Sequence, residues 1–159
     1  MSALTISVWD TDHPHWPKLT VIIEQLGQTN WVTVQGDWHL SSVILVAHID
    51  DQPVGFLRYV IQEIGVDEDL DVVRLENKPL QEAKVLAFGV VEPMRRQGIG
   101  TQLQQALIEN SRQAGCYQVR SHSSLHNKSN HQLKLSMGFG VHPLPSTSEK
   151  GGFYFILPL

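Results

Sequence analysis

Leu4–Trp9 alternates apolar and polar positions, the period-two pattern of a strand with one buried face. Asp12-His13-Pro14 then opens a helix carried by Leu19, Ile22, Ile23 and Leu26, and Gly27 stops it. The tryptophan-rich stretch 30–41 has no clear period. Val43–Ile49 and Val54–Gln62 flank the turn Asp50-Asp51-Gln52-Pro53 and read as a hairpin. A polar, acidic connection follows over 64–83 and reads as a long loop with some local structure. Val85–Val91 is a nearly continuous apolar run, as expected for a strand covered on both faces. Pro93–Gly100 reads as a loop, and a helix is predicted from Ile99 to Ala114 with Leu103, Ala106, Leu107 and Ala114 on one stripe. Gly115 supplies its stop. Tyr117–Ser124 is a predicted strand, Asn127–Met137 a helix and Phe153–Leu157 a closing strand. No internal repeat or low-complexity linker divides the chain, so the pattern predicts one mixed α/β domain over 1–159.

Composition narrows the function classes. The 159 residues are 42% hydrophobic and 18% charged, ordinary globular usage with enough apolar content for a core. The net charge is −4 and no Lys/Arg run exists, so a phosphate-gripping nucleic-acid partner is not expected. The longest apolar runs are strand-sized, so no membrane partner is expected either. Met1–Thr5 lacks the basic and apolar regions of a signal peptide, and the single cysteine, Cys116, cannot form an internal disulfide. Both point to a reducing, cytoplasmic setting. Cys116 itself reads as a small packed residue.

The most informative segment is Val85–Thr101, where a buried strand runs into a glycine-bearing turn that opens a helix. Such a turn exposes backbone N–H groups at a positive helix end, ready for an anion. Gly98 and Gly100 let the backbone approach the ligand closely. Arg95 and Arg96 can add charge-assisted contacts to phosphate oxygens. Arg95-x-x-Gly98-x-Gly100 alone is also what an ordinary glycine turn at a helix start looks like. There is no Gly-Lys-[Ser/Thr] ending and no Gly-x-Gly-x-x-Gly, so neither a P-loop nor a dinucleotide fingerprint is present.

The segment resembles the coenzyme A signature of the GNAT superfamily, the acetyl-CoA-dependent N-acyltransferases. One helix and one strand later, Asn127-Lys-Ser-Asn-His-Gln-Leu-Lys-Leu-Ser-Met-Gly138-Phe139 is similar to that family's Asn-x-x-Ala-x-x-Leu-Tyr-x-x-x-Gly-Phe helix. The resemblance is specific over Val85–Phe139 and architectural elsewhere. It implies an α/β fold with a mixed, mostly antiparallel sheet, splayed between two parallel strands and covered by helices on both faces. Acetyl-CoA would be the co-substrate, with no metal. Its pantetheine arm would pair with backbone groups around Phe88, Gly89 and Val90, and Asn127 matches the asparagine that hydrogen-bonds that arm. The pyrophosphate would sit on the amides of Gln97, Gly98, Ile99, Gly100 and Thr101, flanked by Arg95 and Arg96. The acceptor would be an amine of a small molecule or peptide, attacked directly in a ternary complex. Many relatives dimerise, so a homodimer is compatible with the resemblance.

Two positions depart from the family pattern. Lys134 stands where the family has a tyrosine acid. It shares one helical stripe with Asn127 and His131, and reads either as an acid for the leaving thiolate or as a solvated surface lysine. Lys84 stands where the histone-modifying branch has a glutamate base, with Glu82 two residues away. His122 and His126 flank the open end of the following strand and suit proton transfer, though each also reads as a polar edge residue. Tyr154 could reach the site from the final strand. These departures keep a non-catalytic acyl-CoA-binding domain as the alternative to an N-acetyltransferase. The remaining clusters read as structural: Asp67-Glu68-Asp69 with Asp71 as a solvated loop, His13 and His15 as a helix entry, and Trp9, Trp16, Trp31 and Trp38 as core or lid residues.

Overall fold

The computed structural model describes residues 2–145 and 151–159. Strands β1 (Leu4–Trp9), β2 (Ser41–Ile49) and β3 (Gln52–Glu63) form an antiparallel meander. After a short two-stranded ladder, β4 (Arg74–Leu75) with β5 (Lys78–Pro79), the chain enters β6 (Gln81–Val90) beside β3. The helix α3 (Ile99–Gln113) carries it to β7 (Gln118–Ser123), which runs parallel to β6. Then come α4 (Lys128–Ser136), β8 (Gly140–Pro143) and β9 (Phe153–Pro158). The seven-stranded sheet has the order β1-β2-β3-β6-β7-β9-β8, mixed and mostly antiparallel as expected.

The two helices α1 (Trp16–Gln25) and α2 (Thr29–Thr33) cover one face. Leu19, Ile22 and Ile23 of α1 and Val32 of α2 pack on Trp9, Val46, Phe56 and Ala87 of the sheet. The other face meets α3, where Ile99, Leu103 and Leu107 close over Leu45, Leu57, Val85 and Val119. Each such side chain contributes about 1.5–3 kcal/mol on burial, so the apolar stripe seats α3 firmly and fixes where its N-terminus points.

Three elements differ from the pattern-based expectation. The helix α2 lies in the tryptophan-rich stretch, and five residues are too few to show a period. Strand β8 is exposed along its whole length and pairs only with β9, so no alternation marks it. The 64–83 connection has the local structure expected of it, a 3-10 turn at Val66–Glu68, but that turn carries Asp67 inward and the last residues of the connection, from Gln81, already belong to β6.

Candidate active site

Strand β6 pairs with β7 only over Glu82–Val85 against Gln118–Ser121. Past Ser121 the two diverge, while the other edge of β6 stays paired with β3 up to Val90 opposite Gly55. The edge of 86–90 therefore faces an opening in the sheet. A register shift at Arg58/Tyr59 leaves Leu86 as an extra residue on β6. Such a bulge moves the side chains beyond it to the other face. Val85 accordingly packs on the α3 side and Ala87 on the α1 side, although alternation alone would put both on one face. Both polar backbone groups of Phe88 meet one side chain: its N–H donates to Gln28 Oε1 at 2.9 Å, and its carbonyl accepts from Gln28 Nε2 at 2.7 Å.

At the far end of β6, Val91 leads through a 3-10 turn, Glu92–Met94, into the loop before α3. Arg96 and Gly98 both adopt positive φ, +63° and +81°. Gly98 is the N-cap of α3 and no side chain caps that end, so the amides of Ile99, Gly100 and Thr101 keep no local acceptor. A Cβ on Gly98 would meet nothing within 4 Å, so the space beside this residue is open. A Cβ on Gly100 would come within 3.2 Å of Phe88 Cζ, so the first turn of α3 sits against the splayed strand. Arg95 donates through Nε to the Val90 carbonyl at 2.9 Å, and Arg95, Arg96 and Gln97 are all exposed around the loop. The arrangement is an anion cradle at the mouth of the opening.

The model of the Acetyltransferase (GNAT) family matches residues 6–139. The chain belongs to that family. NAA60 of Arabidopsis thaliana in complex with acetyl-CoA superposes with a TM-score of 0.72 at 17% identity, over 99% of this chain and 100% of that one. The ribosomal-protein-S18-alanine N-acetyltransferase of Escherichia coli gives 0.61 at 20%, over 98% and 94%. The GNAT domain of S. lividans PAT gives 0.69 at 16%, over 97% and 89%. At these identities the likeness concerns the fold. No curated protein matches the chain by sequence.

In this GNAT chain the opening is flanked on the α3 side by α4. Asn127 is its N-cap, accepting at Oδ1 from the Asn130 N–H and the Ser129 hydroxyl, both at 3.3 Å. Lys134 is not the solvated surface residue that one reading of the sequence allowed. It is 0% exposed, and its ammonium lies 5.1 Å from the centre of the Phe139 ring. Burial lowers its pKa from 10.5 to about 7. Among the described residues, Lys134 Nζ, Asn130 Oδ1 and both amide atoms of Gln104 are buried without a hydrogen-bond partner. Asn130 and Lys134 lie one turn apart on α4, and Gln104 lies one turn after Gly100 on α3.

His122 lies on the opposite face of the sheet. Asn130 Nδ2 reaches Ser123 Oγ from the α4 side, and neighbouring strand residues point to opposite faces. The His122 ring packs edge-on against Tyr154, and its Nε2 lies 2.7 Å from the Gly151 carbonyl. A carbonyl can only accept, so Nε2 is the donor in this bond, and in a neutral ring the lone pair then lies on Nδ1. His126 is exposed, and His131 is held by the Ser124 carbonyl at 2.8 Å.

The acidic connection is corrected most. Asp67 is not solvated: its side chain is 6% exposed and bridges Arg120 and Lys84. Burial alone would raise its carboxyl, but the hydrogen bond from Lys84 and the charges of Arg120 and Lys84 outweigh this and hold it at about 2. Arg120 also binds Glu82 at 2.7–3.1 Å, and Glu82, 0% exposed, further accepts from Gln62 and Gln118. Glu68 accepts from the Tyr154 hydroxyl at 2.8 Å, and the Arg120 guanidinium lies over the Tyr154 ring. Glu82 and Lys84 are thus fixed in a structural network. Among the described residues no cluster of His, Cys, Asp and Glu is arranged to hold a metal, and no helix is long and apolar enough to cross a membrane.

Gln28, Asn130 and Arg58 are not among the residues that the sequence pattern singles out. Arg58, a lone charge inside the apolar run Val54–Ile61, was the one of the three that carried a signal.

Proposed function

We propose that this chain, acting as one domain, transfers an acetyl group from acetyl-CoA to an amine of a small molecule or peptide by direct attack in a ternary complex. The observation that carries the reading is the set of unspent polar groups around the opening: the free first-turn amides of α3, and the buried orphans on Gln104, Asn130 and Lys134. Buried polar atoms without partners are costly, about 1–3 kcal/mol each; an amide-bearing pantetheine arm is a ligand able to satisfy those of Gln104 and Asn130, and the thiolate that leaves at its end would meet the Lys134 ammonium. Gln97–Thr101, with Arg95 and Arg96, would hold the pyrophosphate. Phe88, Gly89, Val90 and Asn127 would align the arm. The co-substrate supplies the acetyl group as a thioester.

The chain's own residues then have distinct tasks. The Phe88 N–H is a donor for the oxygen that gains charge as the amine attacks. A lysine-type amine near pKa 10.4 is neutral only about once in 2,500 at pH 7, so a base matters. His122 Nδ1, on the α1 face, would accept the proton the amine loses. Lys134, on the α4 face, donates a proton to the departing sulfur as the C–S bond breaks, and a pKa of about 7 makes that transfer easy. The two candidates come from opposite faces of the sheet, so proton removal from the amine and proton delivery to the thiolate expelled from the tetrahedral intermediate would be separate tasks.

The test is a thermal-shift titration with acetyl-CoA, with ATP in parallel, followed by thiol release across an amine panel. Stabilisation by acetyl-CoA alone and thiol release with an amine are expected. Binding without any acetylated amine would leave the non-catalytic acyl-CoA-binding alternative, and no binding would end both.

A further inference from the structure

Two buried arginines sit on the α1 face of the sheet, and only one has a counter-charge. Arg120 is surrounded by Glu82 and Asp67. Arg58, 2% exposed, donates through Nε to Ser42 Oγ at 3.1 Å and through Nη1 to the Trp31 carbonyl at 2.9 Å. Both acceptors are neutral, and among the described residues no carboxylate lies within ion-pair distance. A guanidinium has five N–H donors, so most of this one is unspent. A buried cation without an anion is expensive, and an anionic ligand at this position would offset that cost.

The position of Arg58 says which ligand. It lies at the junction of two cavities, one of about 580 Å³ and one of about 230 Å³, and it lines both together with Gln35 and Ser42. The larger is walled by Trp9, Trp16, Val32 and Ile44; the smaller is polar, with Ser41 and His39. Backbone pairing puts Trp9, Ile44, Arg58 and Ala87 in one row across β1, β2, β3 and β6. The row leads from the apolar cavity, past the guanidinium, to the strand position beside Phe88. One strand spacing, about 4.8 Å, separates Arg58 from Ala87. Asp10 lines the end of the larger cavity away from β6, so an anion is favoured only at the Arg58 end.

We infer that Arg58 is the carboxylate subsite of the acceptor, and that the acceptor is a small amino acid with an apolar side chain. The carboxylate takes the free N–H groups of Arg58, the side chain fills the tryptophan-walled cavity, and the amine is directed along the row toward β6. The identity of the amine as acceptor rests on the acetyl-transfer reading; the carboxylate subsite does not need it.

Binding is therefore measured first without acetyl-CoA, by thermal shift with leucine and phenylalanine against leucinamide and phenylalaninol. At a hundredfold excess over Kd the acids raise Tm by about 5–10 °C and the neutral analogues do not. Arg58→Met weakens the acids by about 10- to 100-fold, and Arg58→Lys restores part of the loss. Because Arg58 also ties α2 to the sheet, Gln35→Trp provides a second variant: an exposed loop residue enlarged into the shared mouth of the cavities, expected to block the same ligands. Equal binding of acids and neutral analogues, or acids that bind Gln35→Trp as well as the parent, overturns the subsite. Acetylation of phenylalaninol or a peptide N-terminus in preference to the acids overturns it while leaving acetyl transfer standing. Binding of the acids without their acetylation keeps the carboxylate subsite but overturns the acids as acceptor, and only a panel in which no amine is acetylated removes the transfer reading.

Discussion

Gln28 and Phe88, sixty residues apart, are joined by a reciprocal pair of hydrogen bonds in which the carboxamide satisfies the N–H and the C=O of one residue of the splayed strand. The side chain does locally what a neighbouring strand would do. It closes the edge that β7 leaves when it turns away after Ser121, and it explains how an open sheet edge is kept from costing two unsatisfied backbone groups.

The same pair sets up a competition, because the Phe88 N–H is the group assigned to the thioester oxygen. Gln28→Ala is expected to lower the stability of the ligand-free protein by about 1–3 kcal/mol, two ordinary hydrogen bonds' worth. It is also expected to tighten acetyl-CoA binding, by up to about tenfold. Urea unfolding and calorimetric titration of the same variant read the two effects. Weaker binding in a folded variant would instead make Gln28 a ligand for the bound thioester.

At the loop, Gly98→Ala separates backbone strain from steric block. With φ at +81° any side chain there is strained, by about 1–2 kcal/mol, yet a Cβ meets nothing in the free protein. Stability should fall by that amount, while acetyl-CoA affinity falls further, because a methyl group there would take up open space beside the first-turn amides of α3 that the pyrophosphate would occupy. Parallel stability and titration measurements check this. A variant whose affinity for acetyl-CoA is unchanged removes those amides from the cofactor site.

The Asp67 network carries a pH signature. Its folded pKa, about 2, lies below the ordinary 3.8, so the contribution is present above 3.8 and disappears as pH falls through about 2. The shift corresponds to about 2 kcal/mol. Asp67→Asn should therefore be least stable relative to the parent at pH 6–7, and the gap should narrow between pH 4 and pH 2. Denaturant midpoints at three pH values suffice, and a gap that does not change with pH would separate Asp67 from the acid sensitivity of the fold.

What the sequence disclosed follows physical range. Strand β1 and helix α3 were legible because a local period reports a buried face, and the part of β6 from Val85 because a continuous apolar run does. The glycine turn was legible because backbone conformation is encoded within a few residues. The burial of Asp67 was not, since its partners Lys84 and Arg120 lie 17 and 53 residues further on, and an acidic run looks the same solvated or paired. The burial of Lys134 was hidden for another reason. Its helix carries little apolar periodicity, and what covers it is the packing of α4 beside Phe139.

Lys134 also gives the sharpest test. A folded pKa of about 7 against 10.5 means that burying the charged form is a penalty, complete below pH 7 and relieved as pH rises toward 10.5. Lys134→Met removes the charge and keeps a similar length. The difference in Tm between variant and parent should be greatest near pH 6 and shrink steadily toward pH 10. Turnover should fall, with the KM for acetyl-CoA unchanged, because the lost group acts on the departing sulfur and not on the pyrophosphate or the arm. The descending limb near pH 7 in the parent's kcat profile should disappear with it. A Tm difference that is flat across this range would show that the ammonium is solvated in the folded protein, and unaltered turnover would leave protonation of the thiolate to solvent.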